Sequence, residues 1–239
     1  MLIEQKRSII PACDVPDLIA LEEIVRATSG LSGIGAYKVG IELVIRYGLP
    51  RVVQTVRAFS GLSIIYDHQK AGNDIPALGV KFAKACKSSG VNAVILFPFA
   101  GPATERAWIK ACKDEGITIL VGGEMTHEAF LENEGGFISQ RAGNEIYEIA
   151  SECGVTDFVV PGNKPSSVAF YRELLEGLLG IGGFILYAPG FISQGGDVSE
   201  TGKAAGYNWH AIVGSAIYNA GSVASMREVA QTLTSQIGE

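Results

Sequence analysis

The sequence predicts an α/β fold of one domain over residues 1–239, a (β/α)8 barrel of the TIM type. Three observations carry that expectation. Short β-branched, apolar runs alternate with longer amphipathic stretches eight times along the chain. The length, 239 residues, suits an α/β barrel closed as one unit. No linker, low-complexity block or charge run divides the chain.

The strand candidates are residues 8–13, 34–40, 62–67, 92–97, 117–122, 156–161, 183–188 and 208–214. Each is nearly continuously apolar, the pattern of a parallel strand covered on both faces. The amphipathic stretches between them include residues 17–30, 75–90, 103–116, 167–179 and 222–237. Their apolar residues recur at intervals of three and four, and several end in glycine, which suits a helix C-terminus. A doubly wound open sheet is the alternative arrangement. It favours a glycine-rich fingerprint after the first strand, where this chain has Ala12-Cys13-Asp14-Val15.

Composition narrows the function classes. Hydrophobic residues make up 47% and charged residues 18%, enough apolar surface for a large core and too much for disorder. A net charge of −6 argues against a nucleic-acid surface. No apolar run has the length of a membrane span, and the start MLIEQKRSIIPACDV does not read as a signal peptide. Cys13, Cys86, Cys112 and Cys153 are scattered without metal-ligand spacing. They read as reduced, buried thiols of a cytoplasmic protein. His68, His127 and His210 stand apart from one another, so no metal site is expected.

Barrel chemistry gathers at the C-terminal ends of the strands. Those ends carry Asp14, then Lys38 inside the second strand, then Asp67, Lys70 and Asp74 after the third. A lysine within an apolar strand needs an anionic partner or loses its charge, so Lys38 is the strongest single signal. Carboxylates and a lysine packed into residues 67–74 perturb one another's proton affinities, as in sites that build or cancel charge. Asn73 or Asp74, before Ile75-Pro76, also suits a helix cap. Glycines at 190, 195, 196 and 214, after the seventh and eighth strands, suit close backbone approach to a phosphate.

Taken in order, the chain resembles the orotidine 5′-monophosphate decarboxylase family, especially its archaeal-type members, over nearly its whole length. The resemblance rests on Asp14, Tyr37-Lys38-Val39-Gly40, Asp67…Lys70…Asp74-Ile75-Pro76, Glu124-Met125-Thr126-His127, Ala188-Pro189-Gly190, Gln194-Gly195-Gly196-Asp197 and Ile212-Val213-Gly214. It implies conversion of orotidine 5′-monophosphate (OMP) to UMP and CO2 in pyrimidine biosynthesis, without a cofactor, by a homodimer with shared active sites. By position, Lys38, Asp67 and Lys70 would come from one subunit and Asp74 from the other. Lys70 would protonate C6, and Asp14 and Lys38 would hold ribose hydroxyls. Thr126 and Pro189 would meet the pyrimidine, and Gln194 with Gly195 would reach the phosphate beside Gly214 and Ser215. Three positions depart from the family pattern. The spacing Asp67-x-x-Lys70-x-x-x-Asp74 is longer than Asp-x-Lys-x-x-Asp, Ser215 stands where a phosphate-binding arginine is usual, and Leu78 replaces a hydroxyl residue. Without that arginine the dianion falls to Gln194, to backbone near Gly214 and to Lys164. Two other readings stay open: a relative acting on a ketose phosphate with Mg2+, and a barrel that binds a nucleotide without turnover.

Overall fold

Eight parallel strands close on one another in chain order, β1 to β8, and β8 returns to pair with β1. The computed structural model describes residues 2–68, 72–191 and 198–237. The strands are β1 (Arg7–Cys13), β2 (Ala36–Gly40), β3 (Ser63–Asp67), β4 (Ala93–Leu96), β5 (Thr118–Gly122), β6 (Asp157–Val159), β7 (Ile185–Pro189) and β8 (Trp209–Val213). Closure excludes the open-sheet alternative. Each of the eight expected runs overlaps a strand; six are shortened at one or both ends, β1 begins one residue earlier at Arg7, and β7 is shifted to end at Pro189.

The helices are α1 (Leu18–Thr28), α2 (Ile41–Tyr47), α3 (Leu49–Arg57), α4 (Gly79–Ser89), α5 (Pro102–Asp114), α6 (Ala142–Glu152), α7 (Pro165–Leu179), α8 (Val198–Ala205), α9 (Ser215–Tyr218) and α10 (Val223–Ile237). Local chemistry sets their ends. The Asp17 side chain accepts from the Ala20 amide at 2.9 Å and caps α1. Proline opens α5 and α7, where its missing N–H costs no helical bond. Gly48, at φ 74°, breaks what would be one helix into α2 and α3. The expected Asp74 cap takes a different form. Ile75 is the cap residue of a short 3-10 turn, and the Asp74 carboxylate instead accepts from the adjacent Ile75 amide at 2.6 Å.

Strand alternation divides the core in two. Ile9, Tyr37, Ile64 and Val94 face outward and pack under the helices, whereas Ile10, Ala36, Ile65, Ala93, Leu120 and Ile212 fill the barrel. Each large apolar side chain removed from water contributes about 1.5–3 kcal/mol. Toward the N-terminal end of the barrel the filling becomes polar and pairs within itself, apart from His210 Nε2, which has no partner among the described residues. Ser8 Oγ meets His210 Nδ1 at 2.8 Å, and Tyr187 donates to Asp157 at 2.7 Å. Cys13, Cys86 and Cys112 are buried and Cys153 is half-buried; all four are free thiols. Cys153 departs from the expected burial because it follows the last turn of α6, where it meets the exposed Arg106 at 3.7 Å. Among the described residues no helix is long and apolar enough to cross a membrane.

Candidate active site

Register brings the first charged cluster together. Lys38 lies beside Ala12 of β1 and Ile65 of β3, and Asp67 follows Ile65 by two residues, so both side chains point into the barrel. Asp14 follows directly after β1. Lys38 Nζ lies 2.9 and 3.1 Å from the two Asp14 oxygens and 3.0 Å from Asp67 Oδ2. The Lys38 and Asp67 side chains are 8% and 3% exposed, against 45% for Asp14, so the cluster runs from the packed interior to an accessible rim. Burial alone would lower the Lys38 pKa. The Asp67 and Asp14 carboxylates reverse that effect and hold it above the ordinary lysine value. The ammonium therefore stays charged, and two carboxylates on one ammonium leave a net negative charge.

Gly40 makes room for this arrangement. A Cβ there would stand 2.4 Å from Asp14 Oδ1. Its backbone is extended at φ −114°, so the constraint at this position is space rather than conformation.

Above the cluster opens a cavity of about 380 Å3, within the range of small-molecule sites. Asp14, Lys38 and Asp67 line one side, and Thr126, His127, Pro189, Gly214 and Ser215 line others. Ile95, Phe97 and Val159 provide apolar wall. Lys38 carries the one ammonium or guanidinium among the described lining residues.

The β5 side is held by a second network. Glu124, 3% exposed, accepts from Lys164 at 3.0 Å, from Ser167 at 3.4 Å and from Tyr171 at 2.8 Å. Lys164 also meets Glu134 at 2.8 Å, and Glu134 accepts from the Phe130 and Leu131 amides. Asn163 Nδ2 donates to the Thr126 carbonyl at 3.0 Å. The loop over residues 123–141, with Ala129 at φ 53°, is thereby tied to the start of α7. Lys164, expected to help carry a phosphate, stands in this network instead. It is not among the cavity-lining residues, and its ammonium is committed to two carboxylates.

Of the residues singled out from sequence, Asp14, Lys38, Asp67, Thr126, Pro189, Gly214 and Ser215 surround one cavity. Asp74 is exposed and does not line it. Lys70, Gln194 and Gly195 lie outside the described residues. Sequence reasoning missed Tyr218, which reaches the cavity from α9, and the apolar wall of Ile95 and Phe97. Tyr218 had a readable signal, since it falls one helical turn after Gly214. The described residues include no group of three or more potential metal ligands.

Residues 7–229 match the family described as orotidine 5′-phosphate decarboxylase / HUMPS. An orotidine 5′-phosphate decarboxylase of Methanococcus maripaludis is 24% identical over 207 residues, covering 87% of this chain and 88% of the relative. One from Thermoplasma volcanium is 24% identical over 191 residues, covering 80% and 77%. Among solved structures, the orotidine 5′-phosphate decarboxylase of Pyrococcus horikoshii superposes with a TM-score of 0.78 at 27% identity, over 97% of this chain and 99% of that one. The Methanocaldococcus jannaschii enzyme complexed with the inhibitor BMP reaches 0.82 at 24% identity, over 98% and 99%.

Proposed function

Because this chain belongs to the orotidine 5′-phosphate decarboxylase / HUMPS family, we propose that it decarboxylates OMP to UMP and CO2. The pathway role that follows is de novo pyrimidine synthesis, in the cytoplasm. The observation that carries the reading is the Asp14–Lys38–Asp67 cluster at the base of a nucleotide-sized cavity. The reaction breaks the bond between C6 and the carboxylate, leaves its electron pair on C6, and places a proton there. Enzymes lower barriers by about 8–23 kcal/mol, and preorganised charge is commonly the largest contribution. Here the carboxylate of Asp67 is fixed by Lys38 before substrate arrives, so no dipole must reorient during reaction. The net negative cluster disfavours the substrate carboxylate, and its loss as CO2 relieves that repulsion. Lys70, three residues beyond Asp67, is the proton donor in this proposal.

The same reading gives one barrel domain per chain and a homodimer in which Asp74 completes the partner's site. Its exposed position supports that assignment. Against a ketose-phosphate reaction assisted by Mg2+, the space between Asp14 and Asp67 already holds an ammonium.

Incubation with OMP tests the activity directly. Loss of the orotate absorbance with release of CO2 is the expected result; tight UMP binding without turnover would instead leave a nucleotide-binding barrel. Mixing Lys70→Ala with Asp74→Ala chains tests the shared site. Statistical mixing should restore about a quarter of wild-type activity, since one site of each heterodimer is intact. No recovery from demonstrably mixed dimers would place each site within one chain.

A further inference from the structure

A second cavity, of about 170 Å3, lies between the start of α5 and the adjoining face of α6. Phe99, Pro102, Ile138, Ile146 and Ile149 make it apolar. Glu105 is the exception. It is 1% exposed, it lines this cavity, and its Oε1 has no hydrogen-bond partner among the described residues. A buried carboxyl oxygen without a partner is costly, and proteins rarely leave one unless something else meets it. Burial pushes the Glu105 carboxyl up to about 8, with Arg106 on the same helix opposing the rise. From α6, the exposed Glu145 adds a second carboxylate at the rim. The lining holds no lysine, arginine or histidine.

We propose that this cavity binds a small organic cation, an ammonium group on a compact apolar body of about one ring. Size and charge both select that class. A cavity of about 150 Å3 accommodates benzene, so 170 Å3 holds one ring with a short substituent. Two carboxylates facing an apolar wall, with no basic residue among the described lining residues, complement a positive charge and repel an anion. The site is separate from the catalytic cavity but close to it. The Phe99 ring centre lies 5.8 Å from that of Phe97, which lines the catalytic cavity.

Benzylamine is the probe, with benzyl alcohol as its neutral counterpart, both titrated into the full chain at pH 8.5. Calorimetry gives the affinities and isoleucine methyl NMR gives the location. Benzylamine should bind at least about tenfold tighter than benzyl alcohol, as a charged hydrogen bond exceeds a neutral one. The shifts should centre on Ile146 and Ile149. Glu105→Gln should remove the preference for the amine, and Glu145→Gln should weaken it less. Equal affinities for the two probes would overturn the proposal, as would an unchanged preference in Glu105→Gln. So would an absence of shifts at Ile146 and Ile149 up to roughly 10 mM, the weak end of specific binding. Shifts that disappear as protein concentration rises would mean that a second copy covers this face, and would overturn it too.

Discussion

Twice in this molecule one lysine sits between two carboxylates, and the two settings differ in where the charges stand and what surrounds them. Lys38 lies 2.9 Å from Asp14 and 3.0 Å from Asp67; Lys164 lies 3.0 Å from Glu124 and 2.8 Å from Glu134. In both, burial works against the ammonium and the carboxylates more than restore its charge. The first set stands on β2, on β3 and just past the end of β1, and opens into the larger of the two cavities described. The second joins a loop to a helix start; Glu124 lines the same cavity, but its oxygens already accept from Lys164, Ser167 and Tyr171, and Glu134 accepts from two backbone amides. The same three charges therefore serve as a prepared electrostatic surface in one place and as a brace in the other. Composition of an ion cluster does not mark a site; an accessible member such as Asp14, 45% exposed, does.

Turnover is where the contrast should be greatest. Lys70→Ala, removing the proposed proton donor, should cost on the order of 10^4-fold in kcat while leaving the barrel folded. Lys164→Met should keep kcat within about tenfold, because a displaced loop changes positioning rather than the reacting charges. A Lys164→Met enzyme as impaired as Lys70→Ala in steady-state assays would erase the distinction. Ser215→Arg asks whether the catalytic cavity, which has only Lys38 as a described cation, is short of positive charge toward phosphate. UMP binding should tighten about ten- to a hundredfold, with little change for uridine. Titration showing no gain would place the phosphate away from Ser215.

Stability should rank the other way. Lys164→Met should lower the unfolding free energy by about 1–2 kcal/mol in urea melts, between the values for exposed and buried ion pairs. An unchanged midpoint would mean the network braces nothing. The smallest expected effect is its pH dependence. Hydrogen bonding by Lys164 lowers the Glu134 pKa below its ordinary 4.5. A depressed carboxylate contributes stability above its unfolded pKa and loses it as pH falls through the folded one. The gap between wild type and Lys164→Met should thus hold at neutral pH and narrow in melts below pH 4.5.

The barrel was legible because β-branched runs such as Ile64-Ile65 and Val94-Ile95 report burial on both faces, which is local information. Lys38 was legible for the opposite reason, as a charge inside such a run. The pairing of Glu134 with Lys164 was not, since 30 residues separate them and only the folded loop brings them together. Glu105 gave no signal either. A glutamate in the first turn of a helix reads as a solvated, dipole-favoured residue, and only the packing of α6 against α5 shows it buried. The split of α2 from α3 could have been read from Gly48-Leu49-Pro50, a glycine and proline in close succession.

The close fit of Gly40 against Asp14 makes the two positions epistatic. Gly40→Ala in the native background drives a methyl to 2.4 Å from the carboxylate and should disturb the lysine cluster. In an Asp14→Ala background the same methyl meets empty space, and its cost should largely vanish. Alanine at position 40 should therefore be tolerated best where the acid at 14 is already absent. A chain that keeps that acid carries the record of its electrostatics in a residue that has no side chain at all.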